Sequence, residues 1–274
     1  MATPTDPFWN FGNSYSFLPG IEVIWDEYSG AGIKVGVYDD GVESTHEDLN
    51  DNYDANLSIV DGSGNPVDPS HTVSGERHGT PVSGIISGEW NGLGGVGVAW
   101  GSTFGAVNIF SGYASGAGGY NDFVDALAQA SGIFDVTNHS YGYYASFNQG
   151  LAVTGFQVSR DLSGIETMVD QGRGGLGTIY VGSAGNDNLE ANGTGINASH
   201  FTITVAAATN SASGVNGITA ADFSNFGTSI LVTAAGTSVV ASDRVGGEGY
   251  VGGDYTYFGG TSAAAPVVSG VVTL

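Results

Sequence analysis

The sequence predicts an α/β fold with a central, mostly parallel β-sheet and helices on both of its faces. Three observations carry that prediction. Short apolar runs recur along all 274 residues. Most of them are continuous Val/Ile/Tyr runs rather than apolar–polar alternations, as in strands buried on both faces. Between them lie stretches with apolar residues at helical spacing, and strand alternating with helix is the pattern of a parallel sheet wrapped by helices.

In chain order, the first strand is expected at 33–39 (IKVGVYD). It ends on Asp39, where Gly41 allows a sharp turn that leaves the carboxylate at the sheet rim. Residues 50–76 are rich in Asp, Asn, Gly and Ser and read as loop, a natural place for ligands. A helix of small residues follows at 78–87 and is opened by His78. Strands at 104–110, 134–140 and 178–184 (TIYVGSA) alternate with helices at 121–130 and 149–171. The last of these strands runs through Gly185 into Asn186, and 187–199 is again loop. Strands at 201–207 and 230–235 precede GGTSAAAPVVSGVV, in which Gly259 and Gly260 supply a turn and the remainder forms a buried helix. Ser262 would stand at that helix's N-terminus, where orphan N–H groups and the dipole stabilise negative charge. No linker and no internal repeat interrupts the chain, so 1–274 is read as a single domain.

Composition narrows the function classes. Five Lys and Arg against 27 Asp and Glu give a formal charge of −22, which repels a phosphate backbone or an anionic bilayer. Nucleic acid and membrane are therefore not expected partners. The absence of cysteine removes thiol catalysis, disulfides and thiolate zinc sites. The N-terminal stretch lacks a basic region followed by an apolar one, so no cleavable signal peptide is expected in it. The surplus of carboxylates points to neutralisation by metal, or to work in salt or outside the cell.

Functional groups of open α/β sheets gather past the carboxyl ends of strands. Asp39, His78, Asn186 and Ser262 together supply the groups needed for acyl transfer through a covalent serine intermediate. Serine is a weak nucleophile at neutral pH and needs a general base, here His78. The imidazole needs a carboxylate, Asp39, to fix its tautomer. The developing oxyanion needs donors, and the Asn186 amide and the Ser262 backbone N–H are the natural pair.

The motifs DDG around Asp39, HGT around His78, SAGN around Asn186 and GTSAAAP around Ser262 resemble, in order, the four catalytic motifs of the subtilisin-like serine proteases. Several phrases are similar to the kexin-type proprotein-convertase branch: DDG itself, the entry TDP at Asp6, GVGVAW at 95–100 and QGRGGLGTIYV at 171–181. The resemblance implies a three-layer α/β/α subtilisin-like fold and a serine endopeptidase acting on polypeptides as a monomer. A pro-segment or an inhibitor is a further partner, and secretion or the cell surface, on a bacterium, is the expected location. It also implies further helix and strand after Leu274. Pro81 departs from the family, where HGT is commonly followed by His or Arg.

The resemblance further places substrate along Ser140, Tyr141 and Gly142. Gly182, Ser183, Ala184 and Gly185 form the opposite wall of the primary specificity pocket, and Asp40 lies where it would favour a basic residue next to the scissile position. Kexin-type relatives continue with acidic residues after this strand. Here Tyr143 and Tyr144 follow, so paired-basic specificity is not carried over and a broader or aromatic-accepting pocket is expected. The family's calcium site maps onto Asp6, Asp48 and Asn91, completed by the carbonyls of Leu93 and Gly95. An all-oxygen set of this kind suits Ca²⁺ in a structural role. Asp54 and Asp61 are candidates for a second ion.

Two copies of GxGxxG, at 92–97 and 172–177, would signal a dinucleotide only if each followed a strand and opened a helix. Both are expected to precede strands instead. The reading that competes with the protease is a catalytically idle, calcium-binding interaction module of a larger surface protein.

Overall fold

The computed structural model describes residues 4–8, 20–110, 121–142, 156–215 and 217–274. A seven-stranded sheet forms its middle layer. Its strands are β1 (Lys34–Asp39), β2 (Thr103–Asn108), β3 (Val136–His139), β4 (Ile179–Ser183), β5 (Thr202–Val215), β6 (Ile218–Ala220) and β7 (Val232–Ala235). They run in the order β2-β1-β3-β4-β5-β6, with β7 also paired to β5. Every pairing is parallel except β5 with β6. A separate antiparallel pair, β8 (Val239–Ser242) and β9 (Tyr255–Phe258), lies beside it.

The continuous apolar runs are buried on both faces because two hydrophobic clusters sandwich the sheet. On one face, α2 (Gly79–Ser87) and α5 (Thr261–Thr273) pack Val82, Ile85, Ile86, Ala263, Ala264 and Val267 against Val35, Val37, Phe104 and Val181. On the other, α3 (Asn121–Ile133) and α4 (Phe156–Gly175) pack Ala126, Leu127, Ile165 and Met168 against Tyr38, Val107 and Tyr180. Alternate residues of one strand therefore enter opposite cores, as Val37 and Tyr38 do. A short helix α1 (Ile21–Trp25) buries Ile21 and Trp25 against the first cluster.

Five of the six expected strands and the helices fall within a few residues of the observed elements, and β5 runs eight residues past the expected end at 207. The expected 149–155 lie outside the described residues. The last turn of α4 unwinds at Gly172–Gly174, where Arg173 has φ 52°, and the Gly177 N–H closes it on the Gly172 carbonyl at 2.8 Å. Neither GxGxxG copy opens a helix after a strand; the first lies in the loop between α2 and β2, the second at this C-cap. The β5–β6 hairpin, β8, β9 and α1 were not expected. Their sequences are short or dominated by Ala, Thr, Ser and Gly, which give no apolar rhythm.

Candidate active site

β1 and β3 are neighbours whose following connections run in opposite directions, from β1 to β2 on one side and from β3 to β4 on the other, so a crevice opens at their carboxyl ends. Asp39 is the last residue of β1 and is buried. Its Oδ1 lies 2.8 Å from Nδ1 of His78. His78 is the N-cap of α2. The approach is close because residue 79 is glycine: a Cβ there would run into the Gly41 carbonyl and Asp39. The edge of Phe258, at the end of β9, packs on the imidazole with ring centres 5.0 Å apart. Burial opposes charging of His78, but the Asp39 charge, the hydrogen bond to it and the Asp40 charge outweigh burial and raise its pKa above the ordinary value.

Asp40, expected to favour a basic residue next to the scissile position, is half-buried. Its two oxygens accept the backbone N–H groups of Arg77, His78 and Gly79 at 2.8–3.0 Å, which ties the entry of α2 to the end of β1. These amides belong to the helix start, where no helical partner exists for them. Burial, followed by the neighbouring Asp39 charge, raises the Asp40 pKa despite these bonds.

Ser262 is the second residue of α5 and lies at the buried base of the crevice. Its hydroxyl donates to the Ser140 carbonyl at 3.0 Å. The Ser140 hydroxyl in turn donates to the Ser262 carbonyl, also at 3.0 Å. Alignment of a serine hydroxyl with its base commonly tightens only once substrate is bound. Asn186 follows β4, and its Oδ1 accepts from the Thr261 N–H at 2.8 Å and from Thr261 Oγ1 at 3.0 Å. A backbone N–H can only donate, so the amide orientation is fixed: oxygen toward Thr261, Nδ2 away from it. A Cβ on Gly260 would lie 3.3 Å from Asn186 Nδ2 and 3.6 Å from the Ser262 nitrogen. Both nitrogens thus lie beside Gly260, and a pair of donors is what a developing oxyanion needs. Thr261 was missed as a separate contributor, although GTSAAAP contains it.

Ser140, Tyr141, Gly142, Ser183, Gly185, Asn186, Asp187 and Ser262 line one cleft of about 190 Å³. Two of the expected wall residues lie elsewhere. Gly182 borders a small inner void. Ala184 is buried and turns its carbonyl to the Asn197 and Asn225 amides. Asp187 was not expected; it brings an exposed carboxylate to the rim. Tyr143 and Tyr144 lie outside the described residues.

The profile of the subtilase family matches residues 30–274 of this chain. The chain belongs to the subtilase family. It is 31% identical over 290 aligned residues to an extracellular protease of Xanthomonas campestris, covering 97% of this chain and 47% of that protein. To human proprotein convertase subtilisin/kexin type 4 it is 30% identical, covering all of this chain and 36% of that one. Among solved structures, a protease of Pseudoalteromonas arctica superposes with a TM-score of 0.75 at 27% identity, covering 100% of this chain and 86% of that one. This subtilase spans about half the length or less of the curated relatives it matches.

Away from the cleft, the subtilase buries the carboxylates of Asp6 and Asp48, among others. Asp6 Oδ1 accepts the N–H groups of Asn91 and Gly92 at 3.2 and 2.9 Å, and Asp48 Oδ2 accepts that of Gly95 at 3.0 Å. The other oxygens, Asp6 Oδ2 and Asp48 Oδ1, are buried without a hydrogen-bond partner. Burial pushes the Asp48 pKa up to about 8 against the Gly95 bond, aided by the Asp6, Glu89 and Glu47 charges. Asn91 turns its Oδ1 to the Leu93 N–H at 2.8 Å. Among the described residues no three His, Cys, Asp or Glu side chains are grouped as a metal site. An all-oxygen site of two carboxylates, an amide and carbonyls is the set that the two orphaned oxygens fit. Asp54 and Asp61 hold their own turns instead: Asp54 Oδ1 takes the Asn56 N–H at 2.8 Å, and Asp61 Oδ1 those of Ser63 and Asn65 at 2.8 and 2.9 Å.

Proposed function

We propose that this subtilase is the catalytic domain of a secreted serine endopeptidase. Ser262 is its nucleophile, His78 its general base and acid, and Asp39 orients the imidazole. Asn186 Nδ2 and the Ser262 N–H bind the oxyanion. The observation that carries the reading is the pairing of a buried 2.8 Å Asp39–His78 bond with an Asn186 amide whose orientation Thr261 fixes beside Ser262.

Ser262 Oγ attacks the scissile carbonyl carbon as His78 Nε2 takes the hydroxyl proton. The carbonyl oxygen becomes an oxyanion and receives hydrogen bonds from the two donors. Collapse breaks the C–N bond, and the amine leaves with the proton from His78, giving the Ser262 ester. His78 then deprotonates water, which attacks the ester; Ser262 Oγ leaves and recovers the proton.

Asp6, Asp48 and Asn91, with the Leu93 and Gly95 carbonyls, would hold a structural Ca²⁺. When bound, the ion neutralises the buried carboxylates and ties the arm at Asp6 to the 91–95 loop. The name of the Xanthomonas relative supports work outside the cell.

A fluorophosphonate probe in millimolar calcium tests the reading. It is expected to label the protein and not its Ser262→Ala variant, and wild type is expected to cleave unfolded protein. A folded wild type that resists both would make the chain an idle calcium-binding module.

A further inference from the structure

Two imidazoles of this subtilase are enclosed in the core, and they differ in one respect. His46 uses both ring nitrogens: Nδ1 accepts the Asp48 N–H at 3.0 Å, and Nε2 meets the Asp254 carbonyl at 2.8 Å. His139 uses one. Its Nδ1 lies 2.7 Å from the phenol oxygen of Tyr141, while Nε2 is buried with no hydrogen bond. Burial alone holds its pKa well below the ordinary value, so the ring is neutral. It is also clamped, stacked on Tyr180 at 3.8 Å and 9° and lying 4.8 Å from Tyr38. An unmoving ring with a polar edge is a fixed point, and the one group it grips through Nδ1 is Tyr141.

Tyr141, with the following Gly142, borders two spaces. On one side is the cleft of about 190 Å³ that holds Ser262 and Asn186. On the other, bounded also by Tyr180, Gly182, Ile196 and Asn197, is a void of about 10 Å³. That void has room for about one water molecule at most. Ser183 Oγ holds the Tyr141 carbonyl at 3.2 Å, so both the backbone and the phenol tip of this residue are anchored.

We infer that Tyr141, anchored through its phenol to His139, is the partition that sets the depth of the cleft, so that this subtilase rejects substrate side chains long enough to need the inner void. The inference rests on the reading of this cleft as the seat of the side chain on the acyl side of the scissile bond. A longer side chain must push Tyr141 aside and separate the buried 2.7 Å pair. The buried Nδ1 of His139 would then lose its hydrogen bond, the condition under which hydrogen-bonded sites discriminate most strongly. His139 is a positioning residue here: it acts through Tyr141 and touches no substrate.

The test is a ratio. Two peptides differ only in the acyl-side residue, phenylalanine in one and 4-phenylphenylalanine in the other, and kcat/KM is measured for each. The same ratio is read as Kd in a Ser262→Ala background, so it does not depend on turnover. Wild type is expected to favour phenylalanine by roughly tenfold to a hundredfold, the range for a buried hydrogen bond left unmade. Tyr141→Phe and His139→Leu should each remove most of that preference, and the double variant should remove no more than either. His139→Asn, which keeps an amide near the Nδ1 position, should restore it. Because each ratio comes from one protein preparation, loss of folded fraction cancels. Unchanged ratios in Tyr141→Phe and His139→Leu, or effects that multiply in the double variant, overturn the inference. A wild type that cleaves neither peptide but shows the Kd ratio overturns only the protease reading; one that binds neither peptide overturns both.

Discussion

Ser140 and Ser262 exchange two hydrogen bonds, each hydroxyl donating to the other's carbonyl at 3.0 Å. Pro266 explains the pairing. In a helix the carbonyl of Ser262 would accept from the N–H four residues on, and proline has none. Ser140 supplies the missing donor, which fastens the end of β3 to the start of α5. Ser140→Ala should therefore cost roughly 1–3 kcal/mol, the penalty of an unpaired buried carbonyl. Adding Pro266→Ala restores a helical N–H and should recover most of the loss. Urea unfolding of wild type, both single variants and the double variant gives the coupling; additive single effects would show that the carbonyl is satisfied some other way.

Asn186 separates two functions within one side chain. Its Oδ1 holds Thr261, and its Nδ2 is left beside the Ser262 nitrogen. Asn186→Asp retains the acceptor and deletes the donor, so Tm should stay close to wild type while kcat falls about 10²–10³-fold with little change in KM. Thr261→Val keeps the donor and loosens it, and should fall between the two. An Asn186→Asp enzyme of near-normal kcat would remove the amide from the chemistry.

The raised pKa of His78 fixes the sign of two pH effects. The base works only when neutral, so kcat/KM should fall as pH drops through a midpoint above the ordinary value of about 6.5. Asp40→Asn removes one charge that raises this pKa and should move the midpoint down. Asp39→Asn should do so further, with kcat reduced by about 10⁴-fold. For stability, a raised histidine pKa gives a contribution fully present below the unfolded value and lost as pH rises through the folded one. The Tm advantage of wild type over Asp39→Asn should accordingly shrink from pH 6 to pH 9. An advantage that grows over that interval contradicts the assignment.

The sequence carried the parallel sheet because strands such as KVGVYD and TIYVGS are buried on both faces and so contain no polar alternation. The hairpin of β5 and β6 was hidden by its ATNSASGV run, although Asn216-Gly217 is a strong hairpin dipeptide. Asp39, His78, Asn186 and Ser262 were legible because each stands in a glycine-marked turn at an element's end. The hold of Asp40 on three helix-start amides was not legible, because the sequence does not show which N–H groups a carboxylate at a strand end will meet. Neither Thr261 nor the His139–Tyr141 contact could be read from spacing. The first acts through an amide's orientation, and the second depends on which way two side chains turn at the end of β3.

The two orphaned oxygens, Asp6 Oδ2 and Asp48 Oδ1, give calcium a specific energetic signature. Without a cation, burial first and then the Asp6, Glu89 and Glu47 charges push the Asp48 pKa up to about 8, so near neutral pH folding must protonate a carboxylate that is ionised in the unfolded chain, at a cost in stability. Calcium at a hundred times its Kd should contribute about 2.7 kcal/mol to folding. For a domain of this size that corresponds to a rise in Tm of roughly 5–10 °C. Asp48→Asn should act with opposite signs in the two conditions. In EDTA it removes the cost of burying and protonating the carboxylate and raises Tm above wild type; in calcium it removes a ligand and forfeits most of the increment. Calorimetry of both proteins, with EDTA and with millimolar calcium, should give melting temperatures whose order reverses. If wild type melts at the same temperature in both, these carboxylates hold no ion, and their burial is a cost that the fold carries for the two N–H groups on Asp6 and the one on Asp48.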